Sequence, residues 1–435
     1  MIVHLVSPRS PVAGTTRREK AIQFSRLGLA TVAALFPTDA KVRIINDNID
    51  PIDFNEKVDL VGVTAMTSTA PRAYEIADKF RERGVSVILG GIHPTALPQE
   101  AILHADAVVI GEAEGAMHNL IRDFRVGRLK RFYLSSVRPS LAGLPLPRKD
   151  LFNGSKFYKE WDVVQTTRGC PFNCDFCSVS DFFGRTYRTR PIPDVIEEVR
   201  QLNNRTTIFF VDDNIIGRPA YARELFKALI PLKIRWFGQS SIMIARDRGL
   251  LRLAARSGCF GLFIGFESLS CTSLAQVGKT TNHVKDYSSA IKMIHDSGIG
   301  VVGAFIFGFD SDTEGVFEET VSFIDRNHIE LASFSILTPL PGTRLYRMME
   351  EQGRIIERDW ARYTCGEVVF RPKSLSVGQL QNGYYWARKQ ISSYGSIFRR
   401  TLHLRKTALL SLPVNLVMRK ASRSFLKNAR ASHKI

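Results

Sequence analysis

Over the first 135 residues, short and continuous apolar runs alternate with amphipathic stretches. The runs IVHLV, KVRII, DLVGVTA, SVILGG and AVVIGE are rich in valine and isoleucine. Between the third and fourth lies PRAYEIADKFRER, residues 71–83, with the spacing of a helix that has one apolar face. Strands that are apolar throughout and separated by helices predict a parallel sheet covered on both faces. The expected fold is a doubly wound α/β domain with a ligand site at the carboxyl ends of its strands.

From residue 160 the alternation resumes in longer units. DVVQTT, TIFFVDD, IRWFGQSS, GLFIGFES, VVGAFIFGF and ASFSILTPL predict six further strands. Before the second of them, Ile192, Val195, Ile196, Val199 and Leu202 fall on one helical face. Gly258 and Gly298 stand where a helix end favours a left-handed residue. Six βα units predict an open (βα)6 barrel with its chemistry at the strands' carboxyl ends. The proline-bearing stretch LAGLPLPRKDLF reads as a linker. The division expected is residues 1–140 for the first domain, 141–152 for the linker, 153–344 for the partial barrel and 345–435 for a mainly helical C-terminal region.

Composition adds little to this picture. In this chain of 435 residues, 44% are hydrophobic and 23% charged, as in ordinary globular domains. No apolar run is long enough for a membrane-spanning helix, and the N-terminus reads as a strand rather than a signal peptide. Six cysteines without regular spacing argue against a disulfide framework and for a cytoplasmic location.

Charge matters at one end only. The net charge is +18, and the stretch after Glu367 holds 14 lysines and arginines with no acidic residue. Within it, residues 413–430 have a helical pattern. Val414, Val417, Met418, Ala421 and Phe425 share one face, opposed by Arg419, Lys420, Arg423, Lys427 and Arg430. An apolar stripe beside cations describes an interfacial helix at an anionic membrane. A helix docked on the barrel and a nucleic-acid contact remain open, the latter less favoured.

The concentrated chemistry lies in RGCPFNCDFCSV, where Cys170, Cys174 and Cys177 follow the first barrel strand. Thiolates ligate zinc or iron–sulfur clusters, and structural zinc usually takes four ligands in two knuckles. The other cysteines, Cys259, Cys271 and Cys365, form no second knuckle. Three thiolates leave one iron of a [4Fe–4S] cluster open, while a zinc site with a remote ligand is the alternative.

C-x3-C-x2-C with Phe176 before the last cysteine resembles the signature of radical S-adenosylmethionine (SAM) enzymes. The resemblance implies that the open iron chelates SAM and that an electron from the cluster cleaves it to a 5′-deoxyadenosyl radical. It places Asp212, Asp213 and Asn214 near the SAM amino group and Glu267 at the ribose hydroxyls, with Gln239 and Ser240 facing the same ligand. Each carboxylate has a simpler reading as a helix cap. No residue is given a catalytic role.

The order of domains is similar to the cobalamin-binding branch of these enzymes, with a flavodoxin-like first domain. That resemblance implies cobalamin contacts from Thr64, Thr67 and Ser68, from Gly90, Gly91 and His93, and from Gly111 and Glu112. The first loop, SPRSPVAGTTRREK, has no histidine to coordinate cobalt. His93 also reads as a satisfied turn histidine.

The function implied is a cobalamin-dependent radical SAM methyltransferase acting on an unactivated carbon of a small-molecule, lipid, isoprenoid or polycyclic substrate. The expected electron donor is a flavodoxin or ferredoxin, and the expected location is cytoplasmic, with peripheral contact at the inner membrane face. A radical SAM cyclase or rearrangement enzyme, a tRNA-modifying enzyme and a redox or light sensor are the alternatives.

Overall fold

The computed structural model describes residues 1–11, 23–24, 26–135, 137–152, 160–202, 207–401 and 411–423. The first sheet holds β1 (Ile2–Ser7), β3 (Lys41–Asn46), β4 (Leu60–Thr64), β5 (Ser86–Gly90), β6 (Ala107–Ile110) and β7 (Phe132–Leu134). All pair in parallel, in the order β3-β1-β4-β5-β6-β7. This is the flavodoxin-like order, and the strand sequence reverses between β1 and β4, where such sheets open a crevice at their carboxyl ends. The five expected strands are all present. The sixth, β7, is too short and too close to charged residues to stand out in the sequence. Val3, Leu5, Val61, Val63, Val87 and Val108 are buried on the two faces, which explains why these strands read as unbroken apolar runs.

The second sheet is the barrel. Its six expected strands are β8 (Glu160–Val164), β11 (Thr207–Phe210), β12 (Arg235–Ser240), β13 (Cys259–Glu267), β14 (Gly300–Phe307) and β15 (Leu331–Ile336). They are parallel and ordered β15-β14-β13-β12-β11-β8, and β2 (Gln23–Phe24) from the N-terminal region adds a seventh strand beside β8. A two-residue strand carries no periodicity, so β2 is invisible in the sequence. β9 (Thr167–Arg168) and β10 (Arg188–Thr189) form a small antiparallel pair that brackets the cysteine loop.

Aromatic side chains fill the barrel wall. Trp236 packs on Phe210 and Phe226, with ring centroids 5.5 and 5.1 Å away, and its indole N–H donates to Ser257 Oγ at 3.0 Å. That bond lets a large amphipathic ring be fully buried. The helix Ile192–Gln201 forms where its apolar face predicts.

The C-terminal region is helical as expected, apart from one stretch. Helices Arg344–Glu351, Val377–Ile391 and Tyr394–Thr401 form, but the chain between the first two is mostly irregular. Val368, Val369 and Phe370 are buried there outside any helix, two β-branched side chains and an aromatic packing without a helical period. The helix over residues 411–423 docks through its polar side. Ser411, Asn415 and Ser422 are buried, and Asn415 Nδ2 donates to the Glu330 carbonyl at 2.9 Å. Val414, Val417 and Met418 are exposed instead. Phe425, Lys427 and Arg430 lie outside the described residues, as does most of the first loop. Among the described residues, no helix is long and apolar enough to cross a membrane.

Gly258 adopts φ +97°, and a Cβ there would lie 1.9 Å from the Ile234 carbonyl oxygen. The turn therefore tolerates no side chain. Gly258→Ala is expected to destabilise the barrel by about 2 kcal/mol or more. Thermal unfolding followed by circular dichroism checks this, and Gly298→Ala should cost less, because its Cβ would meet nothing within 4 Å.

Candidate functional site

Cys170, Cys174 and Cys177 occupy the loop between β9 and the helix Ser178–Phe183, at the carboxyl end of β8. Gly169 starts the loop with φ +86°, and a Cβ there would lie 2.1 Å from the Thr186 carbonyl oxygen. The tight β9–β10 bracket thus demands a glycine before the first cysteine. The loop is also held from the far side. Asp175 N donates to the Val277 carbonyl at 3.0 Å, and the Asp175 carboxylate pairs with Arg344 at 2.6 Å. All three thiols are partly buried, and burial pushes each of them up, Cys177 to about 11, against the opposing charge of Lys279. Metal binding would offset that cost, because it deprotonates the thiols.

Asp212 sits beneath the loop and is fully buried. One of its oxygens, Oδ1, accepts from the hydroxyls of Thr166 and Thr167 at 2.8 and 2.6 Å and from both backbone N–H groups. Burial pushes its carboxyl up while these four donors pull it down, and Oδ2 is left without a partner in the protein. Asp212 therefore positions the root of the cysteine loop. Asp213 accepts from Gly169 N at 3.2 Å, and burial beside Asp212 raises its carboxyl to about 6. Asn214 is buried and structural in its contacts: Oδ1 accepts from Ser241 N at 3.1 Å, and its carbonyl accepts from the Tyr187 hydroxyl at 2.8 Å. Gln239 and Ser240 end β12 beside it, with Ser240 Oγ donating to the Ser241 carbonyl at 3.0 Å.

Glu267 ends β13 at a break in register and has φ +65°, an uncommon conformation for a non-glycine residue. The cross-braces are visible. Asn282 Nδ2 donates to the carbonyls of Gly265 and Phe266 at 2.9 and 3.0 Å, and the Tyr287 hydroxyl donates to the latter at 2.8 Å. Glu267 Oε1 accepts from Lys279 Nζ at 2.9 Å. Gly265 must be bare, since a Cβ there would lie 2.2 Å from Glu267 Oε1. Burial alone would lower the Lys279 ammonium, but Glu267 and the neighbouring thiols hold it raised. Lys279 lines a cleft of ≈ 420 Å³ together with Cys174, Thr280, Thr281 and Arg344. The pattern of apolar runs gave no sign of Lys279, which lies in a loop between elements.

The first domain turns its strand ends toward this loop. Glu112, just after β6, pairs with Arg168 at 2.8 Å and with Arg188 at 2.6 Å, and Glu114 pairs with Arg168 at 2.6 Å. Both glutamates reach across to the strands that bracket the cysteines. Helix Ile92–Ala96 packs on Ser178–Phe183, and a Cβ at Gly342 would meet Ala96 Cβ at 3.2 Å. The carboxyl edges of the two sheets therefore face each other. The signal for Arg168 was its place two residues before Cys170, which spacing rules alone do not read.

His93 is fully buried, with Nε2 3.2 Å from Glu100 Oε1. Glu100 also accepts from the Tyr74 hydroxyl at 2.9 Å and from Trp360 Nε1 at 3.0 Å. Through Glu100 these contacts tie the first domain to the C-terminal region, while His93 Nδ1 has no partner among the described residues. The glycines differ from one another. A Cβ on Gly91, at φ +102°, would lie 2.7 Å from Thr64 Oγ1 and 2.9 Å from the Ala65 carbonyl oxygen, so packing keeps Gly91 bare, whereas one on Gly90 would make only ordinary contact with Val109 at 3.8 Å. Gly111, with φ +79°, borders open space, and its N–H donates to Thr95 Oγ1 at 2.9 Å. Thr64, Thr67 and Ser68 follow β4 at the reversal of strand order, and Met66 among them is 58% exposed.

The residues present fit the cofactors implied by the sequence. Among the described residues, no three His, Cys, Asp or Glu side chains converge on a single-ion site. A polynuclear cluster spreads its thiolates over separate iron atoms, which suits three cysteines on one open loop better than one zinc ion does. At the first domain, strand order reverses between β1 and β4, where a doubly wound sheet takes its ligand, and Gly111 borders open space.

Residues 164–324 match the model of the radical SAM superfamily, and residues 22–121 match the B12 binding domain. Bacteriochlorophyllide d C-12(1)-methyltransferase of Chlorobaculum tepidum is 34% identical over 358 residues, covering 80% of this chain and 78% of the relative. Bacteriochlorophyllide d C-8(2)-methyltransferase of the same organism is 30% identical, covering 94% of each chain. The structure of the cobalamin-dependent SAM radical enzyme OxsB superposes with a TM-score of 0.71 at 16% identity, over 100% of this chain and 75% of that one.

Replacing any one of Cys170, Cys174 or Cys177 with Ala is expected to remove most of the iron from anaerobically reconstituted protein. The same change at Cys259, Cys271 or Cys365 should leave the iron content near that of the parent. Iron and sulfide assays with the visible spectrum check both halves, and bleaching in Cys365→Ala would mean that a fourth thiolate closes the cluster.

Proposed function

The chain belongs to the radical SAM superfamily, in its branch with an N-terminal B12-binding domain, and from that premise we propose that it methylates an unactivated carbon of a polycyclic, tetrapyrrole-like substrate. The observation that carries the reading is the pair of bacteriochlorophyllide C-methyltransferases related to most of the chain. The domain division proposed is 1–140, a linker at 141–152, 153–344 and 345–435.

Bound together, cluster, SAM and cobalamin supply the radical and methyl-transfer chemistry; the protein supplies binding, orientation and exclusion of water. Cys170, Cys174 and Cys177 hold the cluster. Asp212 fixes the base of their loop through Thr166 and Thr167. Glu267, held by Lys279, presents its carboxylate to the SAM ribose, whose two hydroxyls suit two acceptor oxygens. Asp213, Asn214, Gln239 and Ser240 line the same barrel end, with Asp213 the most available for the SAM amino group. Thr64, Thr67, Ser68 and Gly111 form the cobalamin cradle. Gly91, His93 and Glu112 shape it from behind, since their side chains or missing Cβ positions are committed to protein contacts, and Gly90 leaves room for close backbone approach.

The electron donor proposed is a flavodoxin or ferredoxin. We also propose that the C-terminal helix touches an anionic membrane, at the cytoplasmic face. The outward Val414, Val417 and Met418 beside exposed Lys420 and Arg423 support that contact.

With bacteriochlorophyllide d as probe, the reconstituted enzyme is expected to yield a product heavier by one methylene unit. S-adenosylhomocysteine and 5′-deoxyadenosine should accumulate in about equal amounts, one from each use of SAM. Substrate consumption with deoxyadenosine and no S-adenosylhomocysteine would replace methyl transfer by a rearrangement. Separately, removing residues 411–435 is expected to abolish co-sedimentation with phosphatidylglycerol vesicles, and salt should weaken the binding of the full chain. Undiminished binding after truncation would end the membrane reading.

A further inference from the structure

The proposed reaction needs single electrons delivered from outside to a cluster held by a half-buried loop. Of the three ligands, Cys174 lines the cleft of ≈ 420 Å³, and the walls on either side of it are Phe172, Asn173, Asp175 and the 275–281 loop. The other face of the cysteine loop is closed by Asp212, Thr166 and Thr167 within the barrel, and by the Glu112 ion group of the first domain. The cleft therefore opens one of the three ligands to solvent.

The rim of that cleft is basic. Arg344 stands on it, half exposed, and donates to the Asn173 carbonyl at 3.3 Å. Arg347 lies one turn further along the same helix and is exposed. Arg185 follows the helix Ser178–Phe183 and is exposed, and Arg138 donates to the Phe182 carbonyl at 3.0 Å. Arg347, Arg344 and Arg185 all act on Asp181, which places the three around one helix. Arg138 turns instead toward the Glu112 group, 3.8 Å from its carboxylate, so the rim is Arg185, Arg344 and Arg347, beside Asp181 and an Asp175 already paired with Arg344. Lys279 adds a buried positive charge on the cleft floor.

We propose that this rim, formed by Arg185, Arg344 and Arg347 beside Cys174, is the docking surface for an acidic one-electron carrier protein. The inference rests on the cluster site read above and adds where its electron enters. Charge complementarity names the occupant, because an acidic carrier is steered to a basic rim and held with its redox centre over the cleft. In the step, the reduced carrier loses one electron and the cluster gains it. The cluster's charge falls by one, and no atom or proton need move.

The test uses the reconstituted full chain and flavodoxin hydroquinone as the probe, with cluster reduction followed by stopped-flow absorbance. In the Arg185→Glu/Arg347→Glu variant the rate is expected to fall by about tenfold or more, and its dependence on salt should flatten. Arg252→Glu, an exposed site on the helix Arg248–Arg256, should leave the rate unchanged. Photoreduction by deazaflavin, read from the electron paramagnetic resonance signal of the reduced cluster, should be equal in all three proteins. An unchanged flavodoxin rate in the double variant, with normal photoreduction, would overturn the docking surface alone. Equal losses at Arg252 and at the rim would overturn it too, since the effect would then be one of net charge. Absence of any photoreducible cluster in the parent would instead overturn the reading on which the surface rests.

Discussion

One buried carboxylate carries the arrangement of the whole molecule. Glu112 leaves the end of a strand in the first domain and meets Arg168 and Arg188 from the barrel, and all three side chains are largely withdrawn from water. Removing charges from water is expensive, and the mutual attraction offsets it only when the geometry satisfies every donor and acceptor. Here both carboxylate oxygens are used, and Glu114 takes the remaining reach of Arg168. Loss of one partner from such a group typically costs about 3–5 kcal/mol. The two sheets are thereby locked with their carboxyl edges face to face. Another orientation would forfeit these ion pairs.

The lock also acts on chemistry, because Arg168 is two residues from Cys170. The same short strand is fixed from below by Asp212 and from above by Glu112. The cysteine loop is thus referenced to both domains at once. A cofactor on the first domain and a cluster on the second would be held at a set separation by protein contacts alone. The strained Glu267 and its Lys279 partner make a second fixed point on the next wall of the barrel. Backbone strain of this sort persists where surrounding bonds over-determine it, as Asn282 and Tyr287 do here.

Much of this was legible in the chain. The apolar runs located eleven strands, because buried parallel strands must be apolar on both faces. The cysteine spacing located the cluster loop, because its ligands come from one local segment. What escaped was non-local or too short to have a period. β2 is two residues long and pairs across the domain division. The partners of Glu112 lie 56 and 76 residues away, and that distance is bridged only by folding. His93 and Glu112 were legible as polar residues near strand ends, and engagement with the protein was one reading of His93, but the partners that each finds were not legible. The tail helix is the plainest case: its amphipathic pattern was correct, but its small polar side faces the barrel. Asn415 and the buried Arg400 find backbone carbonyls there, at Glu330 and its neighbours, that apolar side chains would leave unsatisfied.

The central claim is that protein contacts hold a cobalamin and an iron–sulfur cluster in one fixed relation across the facing sheet edges. Pulsed electron paramagnetic resonance on protein carrying both paramagnetic cob(II)alamin and reduced cluster measures that relation directly. The account predicts a resolved dipolar coupling with one narrow distance, and a broadened distribution in Glu112→Gln. Two independent signals without coupling, in protein loaded with both cofactors, would contradict it.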